Sequence, residues 1–365
     1  MKVLHVINNL ATGGAEKLLL ETIPLYNEKG VSSDLLLLNG SKQPFLDELK
    51  KQNCCNVFSL ANGSVYNPLL IFKIIPYLKK YDIVHVHLFP ALYFVALAKI
   101  ISFSKCKLVF TEHSTLNKRI GNKFFMLIER FIYKRYKKII SISDKVDLAI
   151  KKHLNLGNDK FKKIENGVNI QRIFEASPIS LEDIGIKNQK DKKVLMQVSS
   201  FQYPKDQGTV VNALQFLPEH VILVLVGDGV LKTNVMQLTN NLKLENRVFF
   251  AGIRMDVPNL LKSADIVVLS SHYEGFSLSS VEGMAAEKPL IATNVEALTE
   301  VVKDAGLLFE KNNEEQLASL VTQLLSDEIF YQTTAKKCIA RAAQYDIQNT
   351  VAKTINLYNV VHNEK

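Results

Sequence analysis

Short apolar runs alternate with helix-period segments along this chain, and the alternation begins again halfway. Val3–Ile7, Asp34–Leu38, Ile83–Val86, Leu108–Phe110 and Ile139–Ile142 are the runs of the first half. Helical patterns near 15–26, 68–80, 91–103, 121–138 and 144–153 separate them. Runs this short and this apolar suit strands buried on both faces. With helices between them they predict a parallel sheet. The second half repeats the pattern with Val194–Val198, Val221–Val226, Val248–Phe250, Ile266–Leu269 and Leu290–Ala292. Helical segments near 206–217, 230–242, 256–263 and 278–287 lie between those runs. A polar stretch, Gln171–Lys193, carries Pro178, Asn188 and Gln189 and reads as a linker. The expected fold is therefore α/β, with two Rossmann-like doubly wound domains facing across a cleft, at 1–175 and 176–345. A length of 365 residues fits two such domains. Beyond about residue 312 the pattern is helical, and those helices can sit on the second domain or cross back to the first. The reading adopted gives residues 346–365 to the first.

Composition excludes several classes. The four cysteines form no C-x-x-C, which suits neither a structural zinc site nor a disulfide framework. Reduced thiols in a cytoplasmic protein are expected instead. The opening M-K-V-L-H-V-I-N-N-L is broken by His5, Asn8 and Asn9 and is not a signal peptide. The most apolar later run, His87–Lys99, is about half of the roughly 20 residues a spanning helix needs. Charge is uneven. Residues 1–176 hold 27 Lys and Arg against 14 Asp and Glu, and the remainder holds 18 against 22. Such asymmetry points to an anionic partner for the first half alone.

Five sets of residues carry the candidate chemistry. Thr12-Gly13-Gly14-Ala15-Glu16 follows the first strand and opens a helix. Glycines there let backbone amides approach a ligand, and the helix start favours phosphate. Glu274-Gly275-Phe276-Ser277-Leu278-Ser279-Ser280-Val281-Glu282 sets two carboxylates seven residues apart across a loop and a helix start. Carboxylates at the carboxyl edge of a sheet suit sugar hydroxyls, which donate charge-assisted bonds. Lys205, in the loop after Val194–Val198, is placed to neutralise a leaving phosphate. His113 ends the strand Leu108–Phe110, whereas His85 is read as structural and His87 is left open. Lys118–Lys138 carries Lys118, Arg119, Lys123, Arg130, Lys134, Arg135, Lys137 and Lys138 against one acid, Glu129, with aromatic and aliphatic residues interleaved. A basic amphipathic helix of this kind reads as membrane-binding, and equally as a core-packing helix with a solvated face. No D-x-D, H-E-x-x-H or G-x-S-x-G occurs.

Taken together, these residues resemble the retaining glycosyltransferase family 4, whose fold is GT-B. The resemblance runs over nearly the whole chain in motif order: Thr12–Glu16, Thr111-Glu112-His113, Ile139–Ser143, Glu165–Val168, Val226–Gly229, Gly252-Ile253-Arg254 and, most specifically, Glu274–Glu282. It departs at Ser199-Ser200, where the family has Gly-Arg, so the usual diphosphate-contacting arginine is missing.

The resemblance implies transfer of a sugar, with retention, from a nucleotide-diphosphate donor to an acceptor hydroxyl in cell-surface polysaccharide or glycolipid synthesis. The implied catalytic residues are His113, Glu274 and Lys205. Donor binding falls to Gly13, Gly14, Lys205, Arg254, Glu274, Gly275, Phe276, Ser277, Leu278 and Glu282, with Glu282 on the ribose and Glu274 on the sugar. A UDP-sugar is favoured over a GDP- or ADP-sugar. No cofactor and no metal are expected, and no nucleic acid. A glycan or lipid-linked acceptor and an anionic membrane face at Lys118, Arg119, Lys123, Arg130, Lys134, Arg135 and Lys138 are expected partners. That places the chain in the cytoplasm, peripheral on the inner face of the cytoplasmic membrane. The alternatives are a nucleotide-sugar epimerase on the same fold, which the seven-spaced glutamates disfavour, and a non-catalytic glycan- or nucleotide-binding member, suggested by the missing arginine. A dinucleotide oxidoreductase is disfavoured by the absence of G-x-G-x-x-G.

Overall fold

A computed structural model describes residues 1–113, 123–187 and 191–364. The chain divides into two units, Met1–Gly167 with Ile347–Lys365, and Val168–Asp346.

In the first unit, seven parallel strands lie in the order β3-β2-β1-β4-β5-β6-β7. They are β1 (Lys2–Ile7), β2 (Ser32–Leu37), β3 (Val57–Ser59), β4 (Ile83–His87), β5 (Lys107–Glu112), β6 (Lys138–Ser141) and β7 (Phe161–Lys163). The helices that follow them are α1 (Gly14–Glu28), α2 (Pro44–Gln52), α3 (Leu70–Leu78), α4 (Ala91–Ser102), α5 (Lys123–Tyr133) and α6 (Asp144–Leu154). Side chains alternate across the sheet. Leu4, Val6, Val84, Val86, Leu108 and Phe110 enter one core with α3 and α4. Val3, Ile83, Val109 and Ile140 enter the other, against Tyr26 of α1.

The second unit has six parallel strands in the order β10-β9-β8-β11-β12-β13. These are β8 (Lys193–Val198), β9 (Val221–Val226), β10 (Val248–Gly252), β11 (Ile266–Leu269), β12 (Leu290–Thr293) and β13 (Leu307–Phe309). Its helices are α7 (Ile170–Phe174), α8 (Gln207–Ala213), α9 (Lys232–Asn241), α10 (Val257–Ser263), α11 (Leu278–Ala285), α12 (Glu296–Val302), α13 (Glu314–Ser326) and α14 (Glu328–Ala342). The final helix α15 (Ile347–Asn363) belongs to the first unit. It buries Ile347, Val351, Leu357, Tyr358 and Val361, a stripe at helical period, in the same core as Val3 and Tyr26.

Two expectations change, and three short strands add to those expected. Gln171–Lys193 is not a linker. Ile173, Leu181 and Ile186 are buried in the core of the second unit, so the units meet in sequence at Gly167–Val168 rather than at 175–176. Polar composition hid those three apolar anchors. The basic stretch Lys118–Lys138 is not one helix, because α5 ends at Tyr133 and Lys138 opens β6. The edge strands β3, β7 and β13 have three residues each, too few to show a pattern in sequence.

Candidate functional site

In a doubly wound sheet, ligands bind where strand order reverses, beyond the carboxyl ends. In the second unit that point falls between β8 and β11. The loop after β8 carries Lys205, and the loop after β11 carries Glu274. The sheet brings them together: Lys205 Nζ donates to Glu274 Oε1. Ser271 Oγ donates to the same oxygen at 2.8 Å. The two loops are stitched by backbone, since His272 N donates to the Pro204 carbonyl at 2.7 Å. Ser270 Oγ, at the end of β11, reaches the Lys205 carbonyl at 3.1 Å. Glu274 is only 10% exposed at its side chain, so this carboxylate is held in place by charge and hydrogen bonds together.

Ser277 caps α11, its hydroxyl accepting from Ser280 N at 3.3 Å. That fixes the helix start directly after Glu274-Gly275-Phe276. Glu282 lies about one turn into the helix and is buried. Gly227 and Gly229, after β9, have φ of +136° and +155°. A Cβ on Gly227 would stand 2.1 Å from the Ser199 carbonyl oxygen, and one on Gly229 would stand 2.4 Å from that of Phe201. Only glycine lets these two loops touch. Arg254, after β10, is engaged elsewhere. Its guanidinium donates to both carboxylate oxygens of Asp256, at 2.8 and 2.6 Å, and holds that carboxyl below the usual carboxylate range.

The corresponding reversal in the first unit lies between β1 and β4. Gly13 is the N-cap of α1 on the β1 side, and Gly14 is that helix's first residue. Here the structure assembles four histidines. His87 Nδ1 lies 3.2 Å from His113 Nε2, and His87 Nε2 lies 3.4 Å from His5 Nδ1. His85 is held separately, by the Tyr358 hydroxyl at 2.6 Å and Thr111 Oγ1 at 2.7 Å. Burial depresses all four pKa values, that of His5 to about 3 and that of His113 to about 4, so each ring is neutral near pH 7. Imidazole nitrogens of His5, His85 and His87 lie within 4.8 Å of one another, a spacing that could hold a metal ion. His85, however, already uses both nitrogens. Sequence reasoning passed over His5 and Tyr358. No local signal could have found them, because only the pairing of β1 with β4 sets His5 beside His85.

Of the basic residues expected to face a membrane, Lys118 and Arg119 lie outside the described residues, as does the side chain of Lys123. Arg130, Lys134 and Arg135 are exposed. Beside them α5 presents Phe125, Leu127, Ile128 and Phe131, with Leu127 65% exposed and Phe131 48%. Arg135 stacks over the Phe131 ring at 4.5 Å. Lys138 does not share this face. Its ammonium is bound by the Asp159 carbonyl at 3.0 Å and by Glu364 at 3.4 Å. The inner face of α5 is anchored by buried Glu129, which takes hydrogen bonds from His153 at 2.6 Å and Tyr93 at 3.1 Å. Among the described residues no helix is long and apolar enough to cross a membrane.

Two family descriptions match this chain: "Glycosyltransferase Family 4" over residues 12–172 and "Glycosyl transferases group 1" over residues 181–345. The N-acetyl-alpha-D-glucosaminyl L-malate synthase of Bacillus anthracis is 29% identical over 289 residues, covering 77% of this chain and 74% of that protein. The N-acetylgalactosamine-N,N'-diacetylbacillosaminyl-diphospho-undecaprenol 4-alpha-N-acetylgalactosaminyltransferase of Campylobacter jejuni is 25% identical over 364 residues, covering 93% and 94%. The solved structure of Anabaena Alr3699/HepE in complex with UDP and glucose superposes with a TM-score of 0.84 over 99% of this chain and 100% of that one, at 24% identity. That likeness establishes the fold.

Proposed function

This chain belongs to the family 4, group 1 glycosyltransferases and has the GT-B fold, and from there we propose that it moves a sugar, with retention, from a UDP-sugar to a hydroxyl of a lipid-linked glycan. The observation that carries the donor side is the Lys205–Glu274 pair at the β8/β11 reversal. It holds a cation and a carboxylate side by side directly before the start of α11. A diphosphate needs the first, a sugar hydroxyl needs the second, and the helix start adds backbone amides.

Glu282 accepts from the ribose hydroxyls. Glu274 accepts from hydroxyls of the donor sugar. As the glycosidic bond breaks, charge grows on the leaving diphosphate. Lys205 and the first amides of α11 meet it, in a role like that of an oxyanion hole. No cofactor enters this scheme, and no D-x-D pair is present to carry a metal-bound diphosphate. Arg254 is paired with Asp256 after β10, whereas Lys205 stands beside Glu274 at the β8/β11 reversal, and Lys205 is the cation assigned the work of the arginine that Ser200 replaces. His113 contacts the donor sugar near the reacting carbon, and the leaving phosphate takes the acceptor's proton.

Two observations support the UDP and lipid assignments. The Anabaena structure that shares this fold was solved with UDP and glucose, and the Campylobacter relative is named for a diphospho-undecaprenol substrate. The exposed apolar and basic face of α5 suits a peripheral enzyme working at an anionic leaflet. The test is a panel of UDP-, GDP- and ADP-sugars assayed against polyprenyl-diphosphate glycans. Turnover is expected with a UDP-sugar alone, and the product's anomeric configuration should match the donor's. Activity with GDP-sugars only, or an inverted product, would overturn the corresponding part.

A further inference from the structure

The histidines of the first unit form a chain with one blind end. His113 is the partly exposed member, at the carboxyl end of β5. His87, on β4, touches it at 3.2 Å through Nδ1 and touches His5, on β1, at 3.4 Å through Nε2. His5 is fully buried, and its Nε2 has no hydrogen-bond partner among the described residues. It packs flat against Tyr26, ring centroids 5.4 Å apart, and edge-on to Tyr358.

Each neutral imidazole has one N–H and one lone pair. Three rings joined through Nδ1 and Nε2 in this order admit only two consistent proton arrangements. In one, every proton sits on Nε2: His113 donates inward to His87, His87 donates to His5, and the His5 Nε2–H is left buried without an acceptor. In the other, every proton sits on Nδ1: His5 donates to His87, His87 donates outward to His113, and His5 Nε2 is left as a bare lone pair. Among buried backbone groups an N–H without an acceptor is rarer than an acceptor without a donor, and the same preference applied to these rings selects the second arrangement.

We propose that His5 and His87 are positioning residues that lock His113 in its Nδ1–H tautomer, so that His113 can only donate a hydrogen bond to the substrate and cannot act as a base. The contact of His113 with the donor sugar rests on the function proposed above. The tautomer itself does not. Desolvation supports the arrangement by keeping the rings uncharged, since a protonated ring would break the one-proton-per-ring order. The lock also agrees with a scheme in which the leaving phosphate accepts the acceptor's proton. With Nε2 turned inward to His87 and Nδ1 protonated, His113 has no free lone pair for that proton.

The experiment uses the full chain labelled with ¹⁵N-histidine, and ring-nitrogen spectra read each tautomer without substrate. His113 and His87 are expected to carry their protons on Nδ1. Two variants then separate positioning from packing. His87→Asn places an amide where Nδ1 stood and can still donate to His113. His87→Gln places it where Nε2 stood and cannot. Both delete the same buried ring, so a merely structural role would move them alike. His87→Asn is expected to keep kcat within a few-fold of the parent. His87→Gln should lose roughly 10–100-fold, by analogy with the loss when outer partners of metal-ligating histidines are removed, with KM for the donor little changed. An Nε2–H proton on His113 would overturn the proposal, as would equal kcat in the two variants. Full turnover in His113→Ala would overturn the sugar contact, and the substrate-free tautomer measurement would then judge the lock alone.

Discussion

Lys205 and Glu274 leave the carboxyl ends of two adjacent strands, 69 residues apart in sequence, and the ammonium of one donates to the carboxylate of the other. Each therefore positions its partner as well as any ligand, and the two should not behave as independent sites. Lys205→Ala is expected to lower turnover by about 10²–10³, the scale of a lost oxyanion donor. Glu274→Ala should lower turnover and blur sugar discrimination while leaving affinity for UDP intact. The double variant should fall short of the product of the two losses, because each single change already breaks the pair. Steady-state kinetics on the three variants check this. Strict additivity would mean that the pair is a surface coincidence.

Glu282 should behave differently from Glu274 although both belong to one motif. It is buried on α11, inside the helix rather than in the loop. Glu282→Ala should weaken binding of UDP itself by roughly 1.5–3 kcal/mol, the worth of a hydrogen bond to a charged group. Titration calorimetry with UDP measures it directly. Unchanged UDP affinity would take the ribose role away from this residue.

Much of this was legible from the chain, and the failures have physical causes. The long central strands announced themselves because β1, β4, β8 and β9 are buried on both faces and are therefore mostly apolar, with His5, His85, His87 and Gln197 as the buried polar exceptions. The Glu274–Glu282 motif and Lys205 could be read because loop chemistry at strand ends is written in local sequence. Their pairing could not be read, because it depends on strand order. The histidine chain was missed for the same reason. His5, His87 and His113 come from three strands, and only the register His5–His85 and His87–Thr111 brings them together. Arg254 looked free in sequence and is occupied in space by Asp256.

The four clustered histidines, His5, His85, His87 and His113, predict a characteristic loss of stability in acid. Their folded pKa values lie below the ordinary 6.5, so between the folded and unfolded values the unfolded chain binds more protons. Their contribution is complete above about pH 6.5 and is lost as pH falls toward their folded values, about 4 for His113 and about 3 for His5. Each such group contributes up to about 1.36 kcal/mol per pH unit inside that window. The range from pH 6.5 to 5 is cleanest, since most carboxylates have not yet titrated. Unfolding midpoints that stay flat over that range would contradict the burial of these rings.

Membrane binding should follow α5 and not the whole basic stretch. Replacing Arg130, Lys134 and Arg135 by Gln should weaken binding to anionic liposomes by about 1 kcal/mol per residue at low salt, and raised salt should weaken the parent similarly. Leu127→Ser with Phe131→Ser should weaken it further and independently of salt. Lys138→Gln should change little, because that ammonium already serves Asp159 and Glu364. Co-sedimentation with liposomes of graded anionic content decides the matter. Equal effects from Lys138 and Arg130 would show that net charge matters and the helix face does not.

The C-terminal helix should prove indispensable to the first unit. α15 supplies Ile347, Val351, Leu357, Tyr358 and Val361 to the core that also contains Val3, Ile83 and Val109. Removing it would uncover one face of the central strands, and at roughly 1.5–3 kcal/mol for each of these five large buried side chains the loss is comparable with the whole 5–15 kcal/mol by which most domains are stable. A chain ended at Asp346 should therefore fail to fold its first unit. The second unit, whose boundaries close at Asp346, should remain cooperative and still bind UDP through Glu282. The finer change Tyr358→Phe removes only the hydroxyl that holds His85 at 2.6 Å. It should cost about 1–3 kcal/mol, the penalty for a buried group left unpaired. Calorimetric scans of the truncated and point variants measure both. A truncated chain with an unchanged first transition would show that α15 decorates a core that is already complete.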